Sequence, residues 1–155
     1  NSCCNNNFNF NIGYQFLSSR DVDAINDIKE GKIYARLSNN SSAFKINKDE
    51  YYGLYNRSKN NINLKLNYLF NDELSLYFKT RFRSKFGLTD SNGNNLLDDY
   101  DKFVESHIIS DLSISQKFRK LNITVGADNL FNYTDPENIP NYPGRIIYSK
   151  LSYKL

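Results

Sequence analysis

Apolar and polar residues alternate with a period of two along six stretches of this 155-residue chain, and this pattern constrains the fold more than any other feature. Successive side chains of an extended strand point to opposite faces, so such alternation gives each strand one apolar and one polar face. The clearest run extends from Leu74 to Phe86 and carries four cations on its polar face: Lys79, Arg81, Arg83 and Lys85. The pattern predicts an all-β, antiparallel fold of about six strands.

The connections between the predicted strands have two very different lengths. The strands fall within residues 8–16, 62–70, 74–86, 108–118, 121–127 and 147–155. Short turns at 71–73 and 119–120 alternate with long connections at about 18–57, 87–106 and 129–144. One or two helical turns are expected within residues 22–33, where apolar residues recur at helical spacing. Alternating long and short connections are typical of outer-membrane β-barrels, with long extracellular loops and short periplasmic turns.

Composition excludes several classes of protein. The chain has 24 Asn, 12 Tyr and 11 Phe but no Trp or Met, a mixture that favours strands and turns. No run approaches the roughly 18 apolar residues of a membrane-spanning helix, whereas a membrane barrel is compatible with a mean hydropathy of −0.64. A net charge of +3 is too balanced for nucleic-acid binding. The adjacent Cys3 and Cys4 are expected to be free thiols.

Strand length separates a membrane sheet from a soluble one. About 9 to 11 residues cross a bilayer at the usual tilt, whereas soluble strands average about 5 to 6 residues. The run from Leu74 to Phe86 has 13 residues, more than either a soluble strand or a bilayer crossing needs. Its four cations require water on one face. These observations favour a transmembrane strand with a polar lumen side, although the solvated face of an ordinary antiparallel sheet would also explain the cations.

Three segments near the end of the chain resemble the C-terminal part of TonB-dependent outer-membrane receptors. They are Gly126-Ala127-Asp128-Asn129-Leu130-Phe131-Asn132-Tyr133, Pro143-Gly144-Arg145 and Leu151-Ser152-Tyr153-Lys154-Leu155. The order and spacing are similar to those of the family, and the residues 81–87 and 90–95 resemble its penultimate hairpins, particularly in Bacteroidetes-type receptors. The family usually ends on Phe, whereas this chain ends on Leu155, which we expect to weaken insertion at most.

The resemblance implies that residues 1–155 are the last six strands of a 22-stranded transmembrane barrel in the outer membrane of a Gram-negative cell. The plug domain and earlier strands would lie upstream. The implied partners are the TonB complex acting through that plug, outer-membrane lipid, the barrel-assembly machinery at the last strand, and an iron-chelate (siderophore), haem or cobalamin cargo. The implied function is part of an active transporter.

Six residues are candidates for contact with an anionic or planar cargo. The cations of the lumen row would attract anions, loop tyrosines would contact a flat molecule, and the single histidine could be a haem ligand. Polar lining, pairing with acidic neighbours, loop packing or an interfacial aromatic girdle explain the same residues. The candidates are Tyr51, Tyr52, Tyr55, Arg81, Arg83 and His107.

A calcium-binding loop is predicted where oxygen-bearing side chains recur at the spacing of a calcium-loop pattern. Asn occupies position 6 instead of Gly, and Asp replaces Glu at position 12, so a polar loop rich in turn-forming residues is the stronger explanation of the segment. No other cofactor is expected. The candidate ligands are Asp90, Asn92, Asn94, the carbonyl of Leu96, Asp98 and Asp101.

Two other architectures compete with the transporter segment. A soluble, secreted β-sheet binding module with a calcium-binding loop would need its apolar faces to pack on one another. A passive barrel of eight strands conflicts with the six predicted strands. The sequence contains no credible nucleophile–base arrangement, phosphate loop or pair of catalytic carboxylates, so we do not expect an enzyme.

Overall fold

The computed structural model describes residues 7–36 and 40–155, so Cys3 and Cys4 lie outside the described residues. In chain order its elements are β1 (Asn7–Phe16), α1 (Val22–Lys29), β2 (Tyr34–Ala35), β3 (Phe44–Lys45), a 3-10 turn (Lys48–Glu50), β4 (Asn60–Leu69), β5 (Leu74–Arg83), β6 (Phe86–Thr89), β7 (Lys102–Val104), β8 (His107–Phe118), β9 (Leu121–Asp128) and β10 (Ile146–Tyr153). Strand dominates helix, which confirms the all-β prediction.

The main sheet contains the six strands that the alternation predicts, in the order β1-β4-β5-β8-β9-β10. The pairs from β4 to β10 are antiparallel. In β5, Phe78 lies opposite Leu66 of β4 and Leu112 of β8. Leu112 in turn lies opposite Ala127, and Ala127 opposite Ile147. Because directly opposite residues share a face, the register unites the apolar positions of successive strands on one side of the sheet.

Within the described residues this apolar face is most exposed on β1 and β10, whereas the apolar side chains of β4 and β5 are partly buried. The exposed fraction is 52% for Phe10, 53% for Ile108 and 68% for Leu151. Phe8 at the β1 edge joins the same face, because its ring meets that of Tyr68 edge-on at a centroid distance of 6.3 Å. A folded protein in water rarely leaves so continuous an apolar surface uncovered. The sheet therefore has a face suited to an apolar environment.

The predicted tight turns are confirmed, but one predicted strand is shorter than expected. β4 and β5 are joined by residues 70–73, and β8 and β9 by residues 119–120. The expected strand from Leu74 to Phe86 instead ends at Arg83, and at the next residue the Ser84 hydroxyl accepts a hydrogen bond from the Asn60 N–H at 3.0 Å. The chain then starts β6, which pairs with β7, so Lys85 leaves the cation row of the sheet.

The long connections after β1 and β5 form a second compact unit, Gln15–Asn60 and Ser84–Ser106, which we call the loop unit. Its helix α1 confirms the predicted helical turns and is capped by Asp21, whose Oδ1 accepts from the Asp23 N–H at 2.8 Å. No helix in the described part of the chain is long and apolar enough to cross a membrane. The buried core of the loop unit contains Ile28, Ala35, Ile46, Tyr51 and Leu96.

Gly126 makes room for an aromatic ring across the β9–β10 pair. It lies directly opposite Tyr148, and a Cβ at position 126 would come within 2.6 Å of that ring and 2.9 Å of the Ser113 Cβ. Real Cβ atoms do not approach other atoms so closely, so the tyrosine can lie over this strand only because the glycine has no side chain. Gly13 of β1, by contrast, has no atom within 4 Å of its added Cβ.

We therefore expect Gly126→Ala to destabilise the sheet by about 1–3 kcal/mol, the usual cost of overpacking. Gly13→Ala is the matched control. It should be neutral or stabilise the sheet by about 0.5–1 kcal/mol, because alanine has less conformational entropy than glycine to lose when the unfolded chain folds. Urea unfolding followed by tyrosine fluorescence measures both changes. Equal stability of the two variants would contradict the close packing of Tyr148 on Gly126.

Candidate functional site

The polar face of the sheet carries three of the four predicted cations and walls a cavity of about 440 Å³. Arg81 Nη2 lies 3.6 Å from Asp111 Oδ2, so this cation pairs with the neighbouring strand. Its Nε is buried and has no hydrogen-bond partner among the described residues. Three tyrosine rings complete the lining, one each from β5, the 129–145 connection and β10: Tyr77, Tyr142 and Tyr148.

The structure brings Arg83 and His107 together on this polar face, because the two residues lie directly opposite each other in the β5–β8 pair. The imidazole of His107 stacks on the ring of Tyr133, with centroids 4.7 Å apart and planes inclined by 14°. The histidine is thus in contact with the long connection that follows β9. Contact of Arg81, Arg83 and His107 with a cargo stays a prediction.

The three predicted tyrosines of the loop unit have different environments. Tyr51 is 3% exposed and its hydroxyl accepts the Asp21 N–H at 3.1 Å, so it is a core residue and offers no surface to a cargo. Tyr52 is 47% exposed and donates its hydroxyl to Asp99 Oδ1 at 2.7 Å. Tyr55 is partly buried. Tyr52 is thus the tyrosine of this group that is best placed to contact a ligand.

Hydrogen-bond donors surround the carboxylates of the predicted calcium loop. Asp98, 1% exposed, accepts from the side-chain amides of Asn92 and Asn94 at 2.9 Å each. Asp90 Oδ1 accepts the N–H of Asn92 at 3.1 Å and that of Gly93 at 2.6 Å. No group of three or more His, Cys, Asp or Glu side chains is placed to hold a metal ion in residues 7–36 and 40–155. The calcium site stays a prediction.

The sixth candidate calcium ligand, Asp101, joins three parts of the loop unit. Its Oδ1 accepts the Ser91 N–H at 2.7 Å, and its Oδ2 accepts the Asp98 N–H and the Tyr55 hydroxyl at 3.0 Å each. Burial raises the pKa of the Asp101 carboxyl above its usual range. Burial and the hydrogen bond to Asp101 also raise the pKa of Tyr55, which keeps the phenol protonated as a donor.

Asparagine side chains join the NLFN motif, Asn129-Leu130-Phe131-Asn132, to the PGR motif, Pro143-Gly144-Arg145. Asn129 is 3% exposed, has a φ of 50°, and donates its Nδ2 to the carbonyls of Tyr133 at 2.7 Å and Pro143 at 3.1 Å. Asn132, with a φ of 57°, accepts the Arg145 N–H on its Oδ1 at 2.8 Å. Asparagine adopts this left-handed conformation more readily than most residues. The motifs therefore close the connection between β9 and β10.

A second cavity, of about 250 Å³, lies within the loop unit and includes residues that the sequence analysis did not single out. We call it the loop cavity. Its lining combines cations and aromatic rings: Arg57, Lys59, Lys85, Tyr52, Phe86 and Phe103. The sequence marks Tyr52 and Lys85, but Arg57, Lys59 and Phe103 share no motif or regular spacing with them, so no local pattern unites the site.

Comparison with known proteins gives one structural likeness. No family model matches the sequence, and no curated protein matches it. Part of the chain, 62%, aligns with a mutant of the ferric enterobactin receptor from Pseudomonas aeruginosa at 19% identity and a TM-score of 0.48. The aligned part spans 16% of that receptor chain. At this identity and TM-score the likeness does not assign a function.

The raised pKa of Asp101 predicts a pH dependence of stability with a defined sign. The folded state holds this proton at a pH where the unfolded chain has lost it, so the contribution to stability falls as the pH rises through the folded-state pKa. The unfolding free energy of the wild type minus that of Asp101→Asn, measured from pH 3.5 to 7, should therefore decrease as the pH rises. Asp49→Asn, at an exposed aspartate, is the control, and a difference for Asp101→Asn that is constant with pH would refute the assignment.

Removing the Asn129 side chain should open the connection between β9 and β10. Asn129→Ala eliminates two donated hydrogen bonds and the one that its Oδ1 accepts from the Tyr133 N–H at 2.9 Å, and it places alanine at a positive φ. We expect a loss of about 2–4 kcal/mol from unpaired buried groups. Hydrogen exchange of residues 130–145 should accelerate, whereas the exposed Asn141→Ala should leave it unchanged. Unaltered exchange in Asn129→Ala would show that other contacts close the connection.

Proposed function

We propose that this chain forms part of the β-barrel wall of an outer-membrane active transporter of the TonB-dependent type. The observation that carries the proposal is the predominantly apolar face of the six-stranded sheet, which is exposed at many positions, while the other face carries charged and amide groups. Lipid on one side and an aqueous lumen on the other satisfy both faces. The proposal assigns no catalysis to these residues.

Strand length and connectivity support the same environment. β1, β4 and β5 each contain 10 residues, and β8 contains 12. About 9–11 residues cross a bilayer at the usual tilt. Short connections join β4 to β5 and β8 to β9, whereas long connections follow β5 and β9. In an antiparallel sheet the long connections after β5 and β9 lie at one end, as extracellular loops would.

The partners in this proposal follow from the resemblance and stay predictions. Energy would reach the transporter from the TonB complex through a plug domain, and the barrel-assembly machinery would read the last strand. The loop unit would take part in capturing an iron-chelate, haem or cobalamin cargo, with the barrel completed to 22 strands. No contact among the described residues selects one of these cargoes.

The soluble binding module is the competing proposal, and the exposed face argues against it. That module needs a second apolar layer over residues such as Ile108, Ile147 and Leu151. In residues 7–36 and 40–155 these side chains are 53%, 74% and 68% exposed. Burial of such a face is worth about 25 cal/mol per Å² of apolar area, so leaving it in water would be strongly unfavourable.

Cell fractionation with an antibody against residues 145–155 tests the proposal directly. We expect the protein in the outer membrane, in a band several times heavier than 18.1 kDa whose mobility changes on boiling. Folded barrels resist unfolding by detergent until heated, so the mobility shift reports the closed wall. A soluble band near 18.1 kDa would refute the transporter and favour the binding module.

Two neighbouring substitutions in β4 extend this test to the lipid-facing side. Leu66→Lys places a cation on the apolar face and should reduce the heat-shifted band, because a lysine facing lipid costs about 2–4 kcal/mol near the bilayer midplane and less toward the interfaces. Asn67→Lys places the same cation on the polar face at nearly the same depth and should have little effect. Equal loss in both variants would contradict the assignment of the two faces.

A further inference from the structure

The loop cavity combines an apolar floor with cations and aromatic rings, a combination that neither strand packing nor loop closure requires. Its floor contains Phe86, Gly87 and Leu97, of which the first is 5% and the last 2% exposed. Gly87 is required there, since an added Cβ would approach the Leu97 side chain to 2.0 Å. The floor is thus apolar and tightly packed, while cations and two further rings surround it.

Three cations line this cavity, and no acidic residue belongs to its lining. Lys85 is partly neutralised, because its Nζ lies 3.2 Å from Glu105 Oε1. Arg57 and Lys59 form no ion pair with any residue in the described ranges, unlike Lys85. Like charges that share one concave surface repel each other, and an anion bound between them would remove that repulsion.

Aromatic rings give the cavity a second chemical preference. Tyr52 and Phe103 meet edge-on with their centroids 5.4 Å apart, and the Lys85 Nζ lies 4.5 Å from the Phe103 ring centroid. The Tyr52 hydroxyl is held by Asp99, so the orientation of this ring is restricted before any ligand arrives. Oriented rings favour a planar, unsaturated ligand over a saturated one, through stacked or edge-on contacts.

We infer that the loop cavity binds a small anionic aromatic ligand, such as an aromatic carboxylate or an aromatic group within a larger anionic molecule. Arg57 and Lys59 bind the anionic group, and Tyr52 and Phe103 contact the ring. The volume of about 250 Å³ accommodates one substituted ring, so a larger cargo would present a single arm here. The inference deepens the proposed function by naming the chemistry of a capture site in the loop unit, and it rests on that function for its physiological role.

The geometry favours this ligand over an inorganic anion. An isolated phosphate would satisfy the cations but would leave the rings of Tyr52 and Phe103 without a ligand contact. A neutral aromatic compound would contact those groups but leave the cations unneutralised. A ligand with both features matches the whole lining, which makes affinity dependent on charge and on the ring together.

Fluorine NMR of 4-fluorobenzoate added to the full-length protein in detergent tests the inference. We expect saturable broadening that benzoate reverses, with cyclohexanecarboxylate, inorganic phosphate and 4-fluorobenzamide each at least about fivefold weaker, since each lacks one feature. Arg57→Gln combined with Lys59→Gln should weaken 4-fluorobenzoate about tenfold or more, and Phe103→Leu about threefold to fivefold. Lys45→Gln, at an exposed lysine of the same loop unit, should change the affinity less than twofold.

Three results would overturn the inference. The first is an affinity for 4-fluorobenzoate that is unchanged in the Arg57/Lys59 double variant. The others are competition by cyclohexanecarboxylate, or by inorganic phosphate, that is as strong as competition by benzoate. The boiling-dependent mobility of each variant is measured in parallel, so that loss of folding is not mistaken for loss of the site. Failure here leaves the outer-membrane location intact, whereas a soluble full-length protein would refute the proposed function whatever the cavity binds.

Discussion

The register of the antiparallel strands is the constraint on which the rest of the structure depends. Each pair from β4 to β10 places apolar residues opposite apolar residues. A slip of one residue in any pair would turn one strand's apolar side chains to the polar face. The tight turns at 70–73 and 119–120 prevent such a slip, because a turn this short leaves no slack for the next strand to shift. The same register sets Arg81 beside Asp111 and Arg83 opposite His107.

The sheet could be predicted from the sequence because its information is local. Alternation of period two, interrupted by short polar turns, specifies strands, faces and neighbours without knowledge of distant residues. The strand beginning at Leu74 shows the limit of that reasoning, since its alternation continues to Phe86 while the strand ends at Arg83. Beside that end the Ser84 hydroxyl accepts a hydrogen bond from the Asn60 N–H, and periodicity carries no sign of a partner 24 residues away.

The candidate sites could be predicted less well, because loop packing determines which side chains are accessible. Tyr51 and Tyr52 are adjacent and chemically identical, yet one ring lies in the core and the other is 47% exposed. The core that buries Tyr51 contains residues of α1, β2 and the loop before β7, among them Ile28, Ala35 and Leu96. Of the cations of the loop cavity, Lys85 belongs to a pattern in the sequence, whereas no local pattern marks Arg57 and Lys59. From the sequence, Asn129 and Asn132 of the NLFN motif stand out only through the resemblance to a family. The structure shows what these residues do here: both have a positive φ, and their side chains hydrogen-bond the connection between β9 and β10.

The acidic loop shows how a ligand pattern can also fulfil a structural role. Asp98 is 1% exposed, and its carboxylate accepts the side-chain amides of Asn92 and Asn94 together with the Tyr100 N–H at 2.9 Å. For Ca²⁺ to bind, both amides would have to turn their oxygens inward and the ion would have to replace the lost donors. That exchange is favourable only if the coordination energy exceeds the energy of these hydrogen bonds. The loop therefore has a stable hydrogen-bonded alternative to metal binding, which spacing alone cannot reveal.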